Sequence, residues 1–292
     1  MISTYDKPIP SIPKETARAA SASFGRGNFY IQVGEQLDNI LGELHWQQSH
    51  AQNGGFAMAE DLSLALITLF QFIEGLTDAQ ASDAMRTRID WKFALHLSLL
   101  PRTLDAVALC RFRERILSHA IEQQGYQVLI DGLVRSVPLL NNRIGLPGSL
   151  EIVSLVCSVN RLNQVQQAMN RVLEVLASRF PQWLRAITLP HWYGRYNPSL
   201  TRFDGSVLPS QQRLLMEEIA SDIHHLLEKV DQAGSREICE LCEVKVLNQV
   251  WSHLFQAASQ AQKNRLETLS IRDCDLCFHE GAGGRHHTGT NH

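Results

Sequence analysis

The sequence predicts a mainly α protein: a helical N-terminal module, a second helical segment, and a disordered C-terminal tail. Three observations carry this prediction. Apolar residues recur at three- and four-residue intervals through most of residues 56–261. Caps and breakers fall where those runs begin and end. Strand-like sequence is confined to residues 29–33 and 128–130.

The elements follow in order. Residues 1–55 lack a helical period: Pro8, Pro10 and Pro13 lead into Ala/Ser/Gly-rich sequence up to Gly27, then the short apolar stretch 29–33, so they read as an extended N-terminal arm. From Asp61 the pattern changes to Leu62, Leu64, Ala65, Leu69, Phe72 and Ile73, an amphipathic helix with Asp61 available as N-cap and Gly75 just past its end. Thr77-Asp78 opens a second helix through Met85. Asp90-Trp91-Lys92-Phe93 then leads to Leu95, Leu97, Leu99 and Leu100 before Pro101. Thr103 or Asp105 caps a helix that carries Leu109, Phe112 and Ile116 to about Gln123. Residues 56–138 thus form a helical module.

The loop 138–148, with two Asn, two Gly and two Pro, is the clearest boundary in the chain. Beyond it lies a helical middle region, 149–261. Leu155, Val159, Leu162, Val165, Met169, Val172, Leu176 and Phe180 mark one long helix. Trp183, Trp192, Tyr193 and Tyr196 cluster around Pro190, and two further helices run over about 210–230 and 238–261. Residues 262–292 turn to Gly281, Gly283, Gly284 and Arg285-His286-His287, with hardly an apolar side chain after Phe278, and are expected to be disordered.

With 292 residues, 44% hydrophobic and 20% charged, the composition is globular and has room for about two domains. The longest mostly apolar run, 62–73, is interrupted by Ser63, Thr68 and Gln71 and is too short to cross a hydrocarbon layer of about 30 Å. No secretory signal is legible in residues 1–15, so a cytoplasmic location without a membrane partner is expected. A net charge of −3 excludes a wholly basic nucleic-acid coat and leaves only a regional polyanion surface.

That region is identifiable. Arg86, Arg88, Lys92, Arg102, Arg111, Arg113 and Arg115 face only Asp90, Asp105 and Glu114, a local net of +4. Arg111 and Arg115 share one helix face, and Phe112 and Ile116 share the neighbouring apolar one. Guanidinium forks suit phosphates and guanine edges, which makes these seven residues candidate contacts to duplex DNA; the competing reading is a solvated face with internal pairs such as Arg111 with Glu114.

Of six cysteines, Cys110 and Cys157 sit in apolar helical patterns as small buried hydrophobes. Cys239-Glu-Leu-Cys242 and Cys274-Asp-Leu-Cys277 could supply four thiolates to zinc, but the interval between the pairs is long and Glu-Leu and Asp-Leu make poor knuckles. His224 and His225 are adjacent and point about 100° apart on a helix, so they do not share an ion easily. Trp192, Tyr193, Arg195 and Tyr196 could stack on bases, though aromatics after a proline corner more often close a core. There is no P-loop, G-x-G-x-x-G or G-x-S-x-G.

One combination is more specific. Leu69-Phe70-Gln71-Phe72-Ile73-Glu74-Gly75-Leu76-Thr77-Asp78-Ala79-Gln80-Ala81, then Arg88-Ile89-Asp90-Trp91-Lys92-Phe93-Ala94-Leu95, then Leu104-Asp105 and Leu109-Cys110-Arg111-Phe112-Arg113-Glu114-Arg115-Ile116-Leu117, follow one another at fixed spacing. This order resembles the N-terminal domain of bacterial insertion-sequence transposases of the DDE class. The likeness continues through Val159-Asn160-Arg161-Leu162 and Trp183-Leu184-Arg185-Ala186-Ile187 to Leu189-Pro190-His191-Trp192-Tyr193, Arg195 and Tyr196, and covers about residues 5–258.

The resemblance implies binding to double-stranded DNA at transposon ends. In a full-length enzyme it also implies strand cleavage and joining by three carboxylates that hold two divalent metals in an RNase-H-like domain. The sequence departs from that pattern, because Gly148 stands where the first catalytic acid is expected, with Glu151 nearby, and no strand-rich segment bearing the remaining acids follows residue 260. The expectation is a truncated transposase fragment that binds transposon ends without strand transfer, with no catalytic residue, metal or cofactor of its own; Mg²⁺ belongs only with an intact catalytic domain. Self-association is left open. A second reading is a cytoplasmic helical zinc-binding regulator or adaptor built on Cys239, Cys242, Cys274 and Cys277. A third, a nuclease on Glu151, Asp273 and Asp275, places its acids at a helix edge and in the tail.

Overall fold

The computed structural model describes residues 9–25, 27–43, 59–100, 104–141, 147–196 and 209–252, and every regular element among them is helical. Arg102, Cys274, Cys277, Asp273, Asp275 and the tail 262–292 lie outside the described residues. These residues fall into two compact units, one drawn from Met1–Phe70 and Asp78–Val153, the other from Gln71–Thr77 and Ser154–Leu269. No single helix among them is long and apolar enough to cross a membrane.

The first unit overturns the extended arm. Residues 14–43 hold two helices, α1 (Lys14–Ser23) and α2 (Phe29–Glu43). The stretch 29–33 opens α2 because the Asn28 side chain accepts from the backbone N–H groups of Tyr30 (2.8 Å) and Ile31 (3.2 Å), a helix cap rather than a strand start. The buried positions then continue at Val33, Leu37, Ile40 and Leu41, a helical spacing that a five-residue window cannot show.

The module proper follows as α3 (Ala59–Glu74), α4 (Asp78–Thr87), α5 (Ile89–Ala94), α6 (Ala106–Ser118), α7 (Ala120–Ser136) and the single turn α8 (Pro138–Asn141). Asp105 caps α6 by accepting from the Val107 N–H at 2.9 Å. The helix expected to run on to Gln123 breaks at His119, whose extended backbone ends α6 and begins α7. Residues 128–130, read as strand-like, are the middle of α7, where Tyr126, Leu129, Ile130 and Leu133 form its buried face.

An aromatic cluster centres the unit. The Phe70 ring stands edge-on to Tyr30 at 4.8 Å between centroids and tilted against Trp91 at 5.2 Å, and all three are buried. α5 packs on α1 and α2. Just past it, His96 adopts φ 54, and its ring nitrogens lie 2.8 Å from the Pro10 carbonyl and 3.0 Å from that of Gly34. The α1 side is tied in by Thr16, whose hydroxyl donates to the Leu97 carbonyl at 2.8 Å.

The second unit is built on α9 (Ser149–Arg179), of which residues 154–179 belong to it, with α10 (Pro181–Ile187), α11 (Trp192–Arg195), α12 (Pro209–Ala233), α13 (Arg236–Cys239) and α14 (Cys242–Trp251). The α9 stripe Val156, Val159, Leu162, Val165, Met169, Val172 and Leu176 is buried as its period requires. Ile219, Ile223, Leu226 and Val230 of α12 and Val244, Leu247 and Val250 of α14 complete the core, and α12 packs on α14. The helix expected from residue 238 is interrupted at Glu240–Leu241, between α13 and α14.

Candidate nucleic-acid interface

The basic cluster is held on a frame of short helices. α3 and α4 meet at 109° across residues 75–77. Gly75 takes φ 64, a region open to glycine at no steric cost, and the Leu76 N–H closes the turn on the Gln71 carbonyl at 2.9 Å. One face of α4 is fastened inward. Asp78 pairs with Arg113, the Ser82 hydroxyl donates to the Leu104 carbonyl at 3.0 Å, and Ala81 and Met85 are buried. The opposite face, Ala79, Gln80, Asp83, Arg86 and Thr87, is exposed.

The basic side chains have unequal roles in this frame. Arg113 is 3% exposed, and its two terminal nitrogens donate to the two carboxylate oxygens of Asp78 at 2.8 and 2.6 Å. Lys92 is buried, with its ammonium on the Leu99 carbonyl at 2.8 Å. Arg88 is half-buried, stacked over the rings of Tyr30 and Trp91 and forked onto Asp90 at 3.0 and 2.7 Å. Arg115, its side chain 39% exposed, bonds Asp61, lies 3.3 Å from Glu122 and sits over the Phe112 ring. Among the described members of the cluster Arg111 and Arg86 are the exposed ones, and Arg86 is paired with Asp83 at 2.7 Å. The pairing roles of Asp61 and Asp78 were missed by the sequence reading: it counted charge between residues 86 and 115, whereas these two carboxylates lie outside that stretch and reach Arg115 and Arg113 through the fold.

The second unit gathers charge around one carboxylate. Asp222 on α12 is buried and accepts from His191 Nε2 (2.9 Å), Tyr196 Oη (2.8 Å) and Arg195, which also reaches Glu218 at 2.8 Å. Burial pushes the Asp222 pKa up, but the hydrogen bonds from His191, Tyr196 and Arg195 outweigh it and hold the carboxyl below its ordinary range. Burial, then the bond to Asp222, pushes the Tyr196 phenol up. Trp192 and Tyr196 are therefore buried wall, whereas Tyr193 is 70% exposed. A cleft of about 480 Å³ opens beside them, walled by Leu173, Leu184, Trp192 and Tyr193, and the Asp222 carboxylate does not line it. His224 stacks on Trp251 while His225 bonds the Ile187 carbonyl at 3.1 Å, so the adjacent histidines serve different contacts.

Cys239 is half-buried, with its thiol 3.9 Å from the Val230 carbonyl, and Cys242 is exposed at the start of α14. Among the described residues no group of three or more His, Cys, Asp or Glu is placed to hold a metal ion. Gly148 immediately precedes α9, where the Ser149 N–H donates to Gln127 Oε1 at 2.7 Å, and Glu151 is exposed in the first turn.

Residues 21–115 match the family described as a transposase domain (DUF772). The match takes in α2 to α5 and α6 as far as Arg115, and so every residue of the three-part motif up to that point, including Asp78, Asp90 and Arg113. No curated protein and no solved structure matches the chain.

Proposed function

We propose that this chain is a transposase-related protein whose first unit holds double-stranded DNA at the ends of an insertion sequence, without itself cutting or joining strands. The observation that carries the reading is the coincidence of the transposase-domain match, residues 21–115, with the helical frame that presents Arg86 and Arg111. Arg88 and Arg115, each partly exposed, supplement that surface. Lys92 and Arg113, enclosed in the frame, act as supports for it. Duplex DNA suits such a surface because phosphate contacts by a few guanidiniums supply affinity through counterion release without needing a strongly basic chain. The zinc-regulator reading gains no support from Cys239, whose thiol faces a carbonyl of its own unit.

The experiment is fluorescence anisotropy of the full chain with duplexes taken from the terminal sequences flanking its gene, titrated between about 50 and 200 mM salt, the range over which phosphate-dominated binding changes most visibly. The expected result is binding whose log K falls linearly with log salt. No binding at the lowest salt overturns the proposal.

A further inference from the structure

We propose that the cleft in the second unit takes one unpaired nucleotide of a single-stranded DNA, with its base stacked on Tyr193 and its phosphate held by Arg185. The cleft is built within residues 170–196, and its volume of about 480 Å³ falls in the range of sites that enclose one small ligand. Leu173, Ala177, Leu184 and Trp192 make its walls apolar, and Tyr193, 70% exposed, adds an aromatic ring open to solvent. The site lies outside the matched residues 21–115 and stands independently of the duplex-binding reading of the first unit.

The lining selects this class of ligand. The short helix α11 is fixed from within: the Trp192 ring stands edge-on to Tyr196 at 6.1 Å and to His225 at 5.8 Å, and Arg195 and Tyr196 both bond Asp222. Of its two aromatic residues Trp192 is covered and Tyr193 is not, so a stacking platform stands ready on a turn that binding need not order. Arg185 lines the cleft, is exposed, and makes no ion pair with any described residue, although Glu174 lines the cleft as well. A guanidinium in that position can fork onto a phosphate, and the Glu174 carboxylate can accept from an amino group on the base edge, as carboxylates do from cytosine. Asn170 adds an enclosed side-chain oxygen with no hydrogen-bond partner among the described residues, an acceptor for a base N–H. A base inside a duplex has both faces covered by its neighbours and cannot enter such a cleft, so the nucleotide is an unpaired one.

The test uses the full chain and a labelled oligodeoxycytidine about 12 nucleotides long, within the usual span of one single-strand site, followed by fluorescence anisotropy, with a duplex titrated alongside. The wild type is compared with Tyr193→Ala, Tyr193→Phe and Arg185→Ala, and helicity and melting are checked for each; both positions are exposed, so the fold does not depend on them. Tyr193→Ala is expected to weaken single-strand binding by about fivefold to a hundredfold, the range of one lost base stack, while Tyr193→Phe keeps it. Arg185→Ala is expected to reduce the slope of log K against log salt by about 0.7, the share of one phosphate on a single strand. Duplex affinity is expected to stay the same in all three variants. The inference is overturned if Tyr193→Ala binds the single strand as well as the wild type, if Tyr193→Phe is as weak as Tyr193→Ala, if the salt slope of Arg185→Ala is unchanged, or if Tyr193→Ala loses duplex affinity equally. A wild type that binds duplexes but no single strand also overturns it and leaves the proposed function standing. Single-strand binding that depends on Tyr193, with no duplex binding, supports the cleft and overturns the proposed function instead.

Discussion

Arg113 and Asp78, 35 residues apart, are joined fork to fork, Nη1 to Oδ1 at 2.8 Å and Nη2 to Oδ2 at 2.6 Å, with both residues buried. The pair ties the start of α4 to the middle of α6. Removing one partner of an enclosed ion pair leaves the other charge without solvent or counter-charge, a loss of about 3–5 kcal/mol. Arg113→Ala and Asp78→Ala are each expected to lower stability by that amount in urea unfolding. The double variant Asp78→Leu/Arg113→Met, which removes both charges and keeps the volume, should recover most of it. Single variants as stable as the wild type would show that the pair does not anchor α4.

Arg111 lies two residues from Arg113 and is exposed. Arg111→Ala should therefore leave the melting temperature nearly unchanged and reduce the slope of log K against log salt by about one unit, the share of a single phosphate contact. This separates surface from support within one motif. An unchanged slope in Arg111→Ala excludes that arginine from the interface.

Gly34 on α2 marks a close helix crossing. A Cβ there meets Phe93 Cδ1 at 2.7 Å and the Phe93 carbonyl oxygen at 2.8 Å, and the carbonyl cannot swing aside as a side chain can. Gly34→Ala is expected to cost about 1–3 kcal/mol through forced separation of α2 and α5. Gly42 on the same helix has nothing within 4 Å of a built Cβ, so Gly42→Ala should be neutral or stabilising by up to about 1 kcal/mol. Equal melting temperatures for the two variants would contradict this assignment.

These residues also show what local sequence can and cannot convey. The run Leu62 to Ile73 and the stripe from Val159 to Leu176 are legible because a helical period repeats over several turns, and both are helices with those residues largely buried. α2 was hidden because Gly27 and Asn28 end a small-residue stretch and its apolar positions become periodic only from Val33 onward. The break at His119 carries no proline or glycine to announce it. Basic residues were legible as a cluster, but their roles were not. Whether an arginine meets Asp78, Asp61 or solvent is decided by contacts 35 and 54 residues away in the chain. The stretch from 86 to 115 over which the charge was counted leaves both of those partners out.

In the second unit Asp222 gives a pH dependence of known sign. Its pKa is depressed in the folded state, so it contributes stability that is present above the ordinary carboxylate value near 4 and is lost as pH falls through the lower, folded value. Unfolding of the wild type should become easier in that acidic window. Asp222→Asn should lose about 3 kcal/mol near neutral pH, since Arg195 then lacks its buried counter-charge, and should show a flatter acid limb. Parallel acid limbs in the two proteins would assign the acid sensitivity to other carboxylates.

The last prediction concerns chemistry. Two-metal phosphoryl transfer needs carboxylates fixed within a few ångströms of one another, because loose placement forfeits most of the orientation effect. The resemblance sets the first of them at Gly148, which here precedes α9 and carries no acid, and its helix start is instead closed by Gln127 on the Ser149 N–H. Glu151, the nearest carboxylate in sequence, is exposed on the first turn of α9. A lone exposed glutamate binds a divalent ion weakly and orients nothing. Incubation with end-containing duplexes in Mg²⁺, then in Mn²⁺, is therefore expected to give retained complexes and intact strands. Site-specific nicking that disappears in Glu151→Gln, or in Asp273→Asn or Asp275→Asn, would place a working catalytic centre in this chain and end the reading of binding without turnover.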